Sequence, residues 1–432
     1  MVVTKLDLSW ENLTTLPVLP STLTDFDCHV NKLTTLPMLP STLTRLECRD
    51  NRLTTLPMLP STLTHLFCSD NELTTLPVLP NRLTHLDCRD NRLKTLPVLP
   101  RTLIELHFDN NCLTTKTMPV LPSTLIYLSF EYNGLTSLPV LPSTLTYLNC
   151  GFNYLTSLPA LPNALTFLNC EDNELTTLPV LPSTLRDLNC EENQLITLDM
   201  LPSTLRELRC ERNQLTTLPV LPNNLIELCC GNNQLTTLPM LPSTLITLSC
   251  NNNQLMKLPV LPNTLRDLSY GYNQLTILPD VPNTLIRLNC SGNTLTTLPV
   301  LPNNLIDLYC DNNRLTTLPV LPSKLTQLFC KNNQLTALPV LPSTLTHLYC
   351  NNNPLIWCHV IKDAERAGLN KYKVAKIYRI IYWYSVNKAA KIIQRNCESW
   401  LDKPITNDGK MGIRVRVGMK VMGHDVGLFP PQ

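Results

Sequence analysis

One phrase of twenty residues returns along most of this 432-residue chain. A single copy, residues 41–60, reads STLTRLECRDNRLTTLPMLP, and the 37 prolines recur mostly in its LPVLP or LPMLP ending. Alignment on this period gives seventeen coils, one of them lengthened to 22 residues, and a truncated eighteenth that ends near Asn353. A unit this short cannot bury its own apolar side chains, so neighbouring units have to stack. The period therefore predicts one solenoid over residues 1–353.

Each unit carries a short pattern that predicts a β-strand. In residues 41–60 the pattern L-x-x-L-x-C-x-x-N-x-L falls on Leu43, Leu46, Cys48, Asn51 and Leu53. Leu46 and Cys48 alternate with charged residues, which is the period of two of a strand with one inward face. Stacked coils would pair these strands into a parallel sheet. An extended, polyproline-like return segment is expected opposite the sheet, because two prolines three residues apart exclude a helix.

The asparagine of the pattern is the most constant residue of the repeat. It is present in all seventeen coils from Asn31 to Asn353, and only the first coil departs, with Glu11. An asparagine side chain has both donors and an acceptor, so a column of asparagines can satisfy the backbone groups of the turn after each strand. We predict a structural role for this column.

Fourteen of the eighteen cysteines share one repeat position, between Cys28 and Cys350. In other coils the same position holds Leu8, Phe108, Phe130 and Tyr270. A disulfide framework or a metal cluster would not tolerate these exchanges, so the column is predicted to be a row of small buried hydrophobic residues. Unpaired thiols in this number predict a reducing compartment, the cytoplasm.

The repeat resembles the short, 20-residue class of leucine-rich repeat found in bacterial secreted effectors, whose units read L-P-x-x-L-x-x-L-x-V-x-x-N-x-L-x-x-L-P. The resemblance covers residues 1–353. It implies a leucine-rich-repeat solenoid with a parallel β-sheet on the concave face, an extended, polyproline-like convex face and a short α-helical C-terminal cap. The cysteine in place of valine, the near-identical coils and the lysine-rich tail are similar to leucine-rich-repeat proteins of giant DNA viruses.

Charge and hydropathy argue against several classes of function. The formal net charge of +2 is too small for nucleic acid to be the partner of the solenoid. Residues 354–432 hold 14 Lys/Arg and 6 Asp/Glu, a surplus of +8, so the preceding residues carry −6. The N-terminus lacks the pattern of a signal peptide, and no run of about 18 apolar residues could form a transmembrane helix. We expect a soluble cytoplasmic protein, in the host cytosol if the chain is viral or an effector.

The repeat pattern breaks after Asn353. Residues 354–401 have apolar residues at helical spacing, which predicts a helical cap over the exposed last coil. The alternative is a helix that binds a partner: residues 393–394 resemble part of a calmodulin-binding motif, although Glu398 stands where a basic residue is expected. Residues 402–432 are predicted to be a basic tail with a small hairpin.

Outward strand positions are where recognition can vary against a constant framework. The residue before each inward leucine forms one such row, which we call the leading column. Three consecutive coils place aromatic residues in it, and two more aromatic residues follow nearby. These five are Tyr127, Tyr147, Phe167, Tyr132 and Phe152. Aromatic stacking across strands stabilises a sheet by itself, but an exposed aromatic patch is also typical of a binding hot spot.

The next three coils place acidic residues in the leading column, beside a second acidic row. The leading column has Asp187, Glu207 and Glu227, and the parallel acidic row has Glu171, Glu191 and Glu211. Like charges about 5 Å apart repel by roughly 1 kcal/mol per pair in water. Arg186, Arg206 and Arg209 could relieve this repulsion, which would make the block an ordinary solvated face. The other interpretation is a site for a basic, partly apolar protein partner that docks across coils seven to twelve.

Two smaller groups carry weaker patterns. His65, His85 and His107 lie on adjacent coils near an aspartate and could hold zinc, although histidines on a strand face are usually polar surface. Cys229 is predicted to point outward, where it could be a reactive thiol. No further metal or cofactor site is predicted.

The last question is whether the chain is an enzyme. Effectors with this class of repeat often carry a C-terminal ubiquitin ligase with a C-x-D motif. Cys48, Cys88 and Cys170 begin such triplets, but all occupy the buried repeat position, and residues 354–432 are too few for that domain. We interpret the chain as a non-catalytic, monomeric protein-interaction scaffold without a cofactor. The alternatives are an adaptor whose basic tail recruits a separate enzyme or a membrane surface, and a structural component of a particle.

Overall fold

The structure is a computed structural model that describes residues 3–355. The chain divides into two compact units, Met1–Gln274 and Leu275–Gln432, which we call unit 1 and unit 2. The predicted helical cap or partner helix and the terminal hairpin lie outside the described residues.

Unit 1 is a ladder of parallel strands, one for each coil and each three residues long. They are β1 (Lys5–Asp7), β2 (Asp25–Asp27), β3 (Arg45–Glu47), β4 (His65–Phe67), β5 (His85–Asp87), β6 (Glu105–His107), β7 (Tyr127–Ser129), β8 (Tyr147–Asn149), β9 (Phe167–Asn169), β10 (Asp187–Asn189), β11 (Glu207–Arg209), β12 (Glu227–Cys229), β13 (Thr247–Ser249) and β14 (Asp267–Ser269). Consecutive strands pair one repeat apart, so that Leu188 lies beside Leu208. Equivalent side chains of successive coils therefore stand in straight rows.

Unit 2 repeats this architecture. Its described strands are β15 (Arg287–Asn289), β16 (Asp307–Tyr309), β17 (Gln327–Phe329) and β18 (His347–Tyr349). They are parallel and in the same register, with Leu308 beside Leu328. Each unit is thus a stack of 20-residue coils with a parallel sheet on one side, as the repeat predicts.

Inward leucines form the core of each coil. In one coil of unit 1, Leu205, Leu208 and Leu215 have no exposed surface. The return segments are extended, and in residues 3–355 the one helical turn is a short 3-10 helix, Thr115–Thr117, in the lengthened coil. This confirms the predicted extended return side, since the prolines remove the donors that a helix needs.

The asparagine column is structural, as predicted. Nδ2 of Asn193 donates to the carbonyl oxygens of Cys170 and Glu191, both at 2.9 Å, and its Oδ1 accepts from the backbone N–H of Leu175 at 3.0 Å. The asparagine is only 8% exposed. One amide therefore satisfies backbone groups of its own coil and of the coil before it, which would otherwise be buried without partners.

The cysteine column is buried, as predicted, and none of the sixteen cysteines in residues 3–355 forms a disulfide. Cys48, Cys88 and Cys170, which begin the C-x-D triplets, have no exposed surface. Burial, followed by the neighbouring column cysteines, raises the pKa of Cys170 well above its usual value. Burial and a raised pKa both make a thiol a poor nucleophile.

The residue just before the column asparagine has a left-handed backbone in every described coil. Most coils place Asp, Asn or Gly there, the residue types that tolerate this region best. The exceptions are Val30, Tyr132, Phe152, Glu192, Arg212 and Tyr272, and the backbone of Tyr132 and of Phe152 has φ of 50°. For such side chains the left-handed region costs roughly 1–2 kcal/mol. The framework alone therefore does not favour aromatic residues at these two positions.

Candidate protein-binding face

The aromatic residues of the leading column form a continuous stack, which we call the first aromatic ladder. Tyr127, Tyr147 and Phe167 belong to neighbouring strands in register. The ring centroids of Tyr127 and Tyr147 are 4.0 Å apart, and those of Tyr147 and Phe167 are 4.2 Å apart, with interplanar angles of 8° and 2°. All three residues are half-buried.

Stacking determines which part of each ring a partner can reach. Tyr127 and Phe167 cover the two faces of Tyr147, and His107 lies against Tyr127 with a centroid distance of 4.3 Å. The ladder therefore presents ring edges rather than flat faces. Burial, together with a hydrogen bond to Tyr147, raises the pKa of Tyr127, which keeps its phenol neutral. A row of neutral aromatic edges suits an apolar side chain better than a base or sugar ring that must stack on a face.

A shorter stack stands at the left-handed position of two of these coils. The ring centroids of Tyr132 and Phe152 are 4.0 Å apart, and Tyr132 is 51% exposed. Stacking of such a pair contributes about 0.5–1.5 kcal/mol, which is less than the roughly 2–4 kcal/mol that two left-handed residues cost. Because folding gains little from these two rings, their presence favours a role in binding.

Acidic residues follow the ladder along the leading column. Asp187 on β10 lies beside Phe167 in the register of the sheet, and Glu207 and Glu227 continue the column on β11 and β12. Arg209 lies between the last two: its Nε is 3.0 Å from Glu227 Oε1, and its Nη2 is 3.6 Å from Glu207 Oε2. One arginine thus offsets part of the charge of two carboxylates.

Hydrogen bonds from coils that follow later in the chain hold the parallel acidic row in place. Glu171 accepts from Nδ2 of Asn189, and Glu211 accepts from Oγ of Ser249 at 3.1 Å. Burial first, and then repulsion from Glu211 and Glu171, raises the pKa of Glu191. The glutamates are therefore held close enough to repel each other, and a cationic partner would relieve that repulsion.

Burial also raises the pKa of Asp187, although Arg206, Arg186 and Arg209 act in the opposite direction. The arginines that could neutralise the block are thus close to it, as the sequence suggests. The two rows hold six carboxylates against these three arginines, so the block keeps an excess of negative charge.

Two glycines leave space for glutamates that lean along the parallel row. A Cβ at Gly231 would lie 3.0 Å from Oε1 of Glu211 and 3.1 Å from the carbonyl oxygen of Asn251. A Cβ at Gly151 would lie 3.2 Å from Cγ of Glu171. A larger residue at either position would displace the glutamate beside it.

The ten predicted site residues lie on β7 to β12 of unit 1 or in the turns that follow these strands. In chain order they are Tyr127, Tyr132, Tyr147, Phe152, Phe167, Asp187, Glu191, Glu207, Glu211 and Glu227. Ladder and acidic rows are thus adjacent on one sheet face, and their role in binding stays a prediction.

The three histidines considered for zinc do not converge. His65 and His85 stack on each other with centroids 4.4 Å apart, whereas His107 lies against the first aromatic ladder. In residues 3–355 the group close enough to hold a metal is a different one, Asp27, His29 and Glu47.

One member of that group, Glu47, already forms ion pairs with two arginines. Glu47 pairs with Arg49, and with Arg45 at 2.6 Å. These bonds lower the pKa of Glu47 against the effect of its burial. A metal would have to displace both guanidinium groups, so the cluster is explained by its ion pairs.

Cys229 does not fit the hypothesis of a reactive thiol. Its side chain is half-buried, and its Sγ lies 3.6 Å from Oε1 of Glu227. Burial, then the charges of Glu211 and Glu227, raises the pKa of Cys229 to about 12. A thiol with this pKa is protonated at neutral pH, which makes it a poor nucleophile.

Sequence reasoning missed a second aromatic ladder, in unit 2. Tyr309, Phe329 and Tyr349 stack with centroid distances of 4.7 Å and 4.3 Å. They stand in the trailing column, which is the residue after each inward leucine. The signal was in the sequence, since the three aromatic residues are spaced by one repeat.

Solved structures include several close matches to this solenoid. YopM from Yersinia enterocolitica is 36% identical with a TM-score of 0.71, and the match covers 82% of this chain and 88% of YopM. The chain belongs to the leucine-rich-repeat family. YopM from Yersinia pestis, described as a leucine-rich effector protein, is 30% identical with a TM-score of 0.52, covering 82% of this chain and 84% of that one. The resemblance to giant-virus leucine-rich-repeat proteins stays a prediction.

A third solved structure is similar to a smaller part of the chain. The functional domain of InlJ from Listeria monocytogenes, described as including a cysteine ladder, is 30% identical with a TM-score of 0.57, and the match covers 73% of this chain and 69% of that one.

No protein-family model matches the chain, and no curated protein matches it. Among the residues that the structure describes, no helix has the length and apolar character needed to cross a membrane.

Proposed function

We propose that this leucine-rich-repeat protein is a non-catalytic scaffold that binds a basic protein partner with an apolar anchor. The observation that carries the proposal is the direct succession of the first aromatic ladder and the acidic rows along β7 to β12. Leucine-rich-repeat proteins commonly bind protein partners on a surface of this kind, where outward residues vary against a fixed framework.

The two halves of this face would do different work. The ring edges of the ladder would take an aliphatic or aromatic anchor, which supplies most of the affinity in typical interfaces. Lysine or arginine side chains of the partner would pair with Glu191, Glu207 and the other acids, which steers association and fixes the register. Binding should therefore be faster at low salt than at high salt.

A pull-down from host-cell lysate tests this proposal. The native chain is compared with a variant that carries Tyr127→Ser, Tyr147→Ser, Phe167→Ser and Glu207→Lys. A protein captured by the native chain should be lost with the variant, because both the anchor site and part of the charge are removed. Circular dichroism would show that the variant remains folded.

Unit 2 offers a matched control for the pull-down. The variant Tyr309→Ser, Phe329→Ser, Tyr349→Ser removes an aromatic ladder of the same size away from the acidic rows. It should capture the same protein as the native chain. Capture of the same proteins by all three chains would contradict a binding face on β7 to β12.

A second candidate function is an adaptor whose C-terminal region recruits a separate enzyme or a membrane surface. The +8 charge surplus of residues 354–432 favours it. Deletion of residues 357–432 separates the two functions. Loss of one partner from a still-folded solenoid would support an adaptor, whereas loss of solubility or of stability in the last coil would support a cap.

A reducing, cytoplasmic location is part of the proposal. It is supported by the sixteen cysteines of the described residues, none of which forms a disulfide. After the protein has been isolated from its source and unfolded, a thiol reagent should modify all eighteen cysteines of the chain. Disulfides in protein isolated from its source would contradict this location.

A further inference from the structure

The return side of unit 1 carries a row of apolar side chains that point into water. Each coil contributes the residue between the first proline and the last leucine of LPVLP, and these valines and methionines are 86–94% exposed. They are Val18, Met38, Met58, Val78, Val98, Val120, Val140, Val180, Met200, Val220, Met240 and Val260. Ala160 fills the remaining coil. We call these thirteen positions the return row.

Isolated exposed apolar residues are normal on protein surfaces, but a continuous row is not. At about 4.8 Å for each coil, twelve steps between thirteen positions extend the row to roughly 58 Å. Folding does not bury these side chains, so the core does not explain them. Val140, for example, is 88% exposed while the adjacent Leu141 is 7% exposed.

The immediate surroundings of the return row are almost uncharged. Proline precedes each row residue and Leu-Pro follows it, with Asp199 in place of one proline as the single charge among these four-residue segments of unit 1. Two identical copies of this surface can therefore meet without repulsion between like charges. The acidic sheet face could not meet its own copy in this way.

The spacing of the row also suits a second copy. Two rows built from the same repeat have the same separation between side chains, so the residues of one can fit between those of the other wherever the rows touch. A fully buried valine or methionine removes about 60–120 Å² from water. Full contact of twelve such residues would bury at most roughly 700–1,400 Å² on each copy, and a stable interface needs about 800 Å² from each partner.

We propose that the return row of unit 1 is a self-association surface, on which a second copy of this chain docks row against row. This goes beyond the proposed partner-binding face, which lies on the sheet side of the same unit. The monomer that the sequence analysis expects is the alternative to this proposal.

The mass of the full-length chain in solution tests the proposal. Sedimentation velocity with light scattering, at micromolar concentration, should give twice the chain mass of 48.7 kDa. The variant Val98→Glu, Val140→Glu, Val180→Glu places three charges in the row and should halve the mass to that of one chain. Since all three residues are exposed, the melting temperature should stay close to that of the native chain.

A matched control places the same three charges on the same coils outside the row. The variant Thr95→Glu, Ser137→Glu, Thr177→Glu changes exposed residues of the return side and should keep the double mass. A native chain that is monomeric at every concentration would overturn the proposal, and so would a control that dissociates as readily as the row variant.

A photo-crosslinking residue at position 140 of the full-length chain identifies what covers the row. A crosslink between two chains, from position 140 to the row of the other copy, supports the proposal. A crosslink within one chain, from position 140 to residues 356–432, overturns it, because the row would then be covered by the C-terminal region. Sheet-face variants such as Glu207→Lys should leave the double mass unchanged, so this test stands apart from the pull-down.

Discussion

The two aromatic ladders of this protein use the same stacking in different surroundings. In unit 1 the ladder stands in the leading column and ends beside Asp187, where the acidic rows begin. In unit 2 it stands in the trailing column, between charges of both signs: Arg287 lies 3.4 Å from Asp307, and the backbone N–H of Lys331 donates to Asp311 at 2.8 Å.

The difference shows what an aromatic ladder means on a repeat sheet. Parallel strands about 4.8 Å apart place equivalent residues at stacking distance, so any three aromatic residues spaced by one repeat will stack. Stacking alone therefore indicates stability. A net charge beside the ladder and the costly pair Tyr132 and Phe152 are found only with the first one among the described coils, and they favour recognition there.

The largest expected effect is on the free energy of unfolding. It tests whether the asparagine column contributes equally to stability in the two units. Asn153→Ala in unit 1 and Asn333→Ala in unit 2 each remove an amide that bonds backbone groups of two coils. Each should lower the free energy of unfolding by about 3–5 kcal/mol, because several buried groups lose their partners. Urea denaturation measures the change.

Exposed asparagines provide the controls for this experiment. Asn163→Ala and Asn303→Ala should change the free energy of unfolding by less than about 0.5 kcal/mol. A large loss in one unit and a loss near 1 kcal/mol in the other would break the comparison, since the ladders would then rest on different frameworks.

The next effect concerns the ladders as stabilising elements. Tyr147→Ala and Phe329→Ala each remove the middle ring and with it two stacking contacts. Both should cost about 1–3 kcal/mol of unfolding free energy, measured by urea denaturation. Tyr147→Phe keeps the stack and should cost far less. If Tyr147→Ala costs nothing, the first ladder does not stabilise the sheet and only recognition accounts for it.

A smaller effect on stability is expected when two residues of unit 1 are replaced by the residue type that unit 2 has at the same repeat position. Tyr132→Asn with Phe152→Asn introduces the residue type that unit 2 has at the left-handed position in Asn312, Asn332 and Asn352. The free energy of unfolding, from thermal denaturation, should stay the same or rise, because the relieved strain at two residues at least offsets the lost stacking. Partner capture should fall.

The matched control for this pair replaces the same residues by alanine. Tyr132→Ala with Phe152→Ala should be less stable than the asparagine variant, since alanine lacks the polar side chain that favours the left-handed region. A loss above 2 kcal/mol in the asparagine variant would mean that the two rings are mainly structural.

The smallest effect is electrostatic. The folded-state pKa of Glu191 is raised above the ordinary value of 4.5, first by burial and then by Glu211 and Glu171. Folded protein then binds more protons than unfolded protein in that window, so stability falls as pH rises through the raised pKa. Glu191→Gln should raise the melting temperature slightly at pH 7, and the gain should vanish below pH 4.5. Glu174→Gln, at an exposed position of the neighbouring coil, serves as the control and should show no gain at either pH.

Much of the candidate face followed from the sequence because a fixed repeat gives equivalent residues equivalent surroundings. Once Leu46 and Asn51 were assigned in one coil, the leading column and its neighbours Tyr147 and Glu207 were assigned in all the others. The pattern could not reveal how Arg209 divides its contacts between two glutamates, since flexible side chains choose among several partners of similar energy.

Two adjacent cysteines, Cys229 and Cys230, show a property that the sequence pattern could not predict. Cys229 and Cys230 differ in burial as the strand alternation predicts, but the pKa of Cys229 depends on its burial, on Glu211 of the preceding coil and on Glu227 of its own strand. A low pKa requires nearby positive charge, and here burial, Glu211 and Glu227 outweigh the one arginine beside the thiol, Arg209. The thiol is therefore a poor nucleophile for a reason that lies partly in the preceding coil.

The sequence by itself determined the solenoid, the parallel sheet, the asparagine column and the buried cysteine column, because each depends on a residue type that recurs once for each coil. Only the tertiary structure decided which apolar residues of LPVLP are in water. Val140 and Leu141 are both apolar and both lie in an extended segment, so no composition or period distinguishes them. What distinguishes them is the direction in which each side chain leaves the backbone relative to the stacked core. That direction is set only when the coils have assembled.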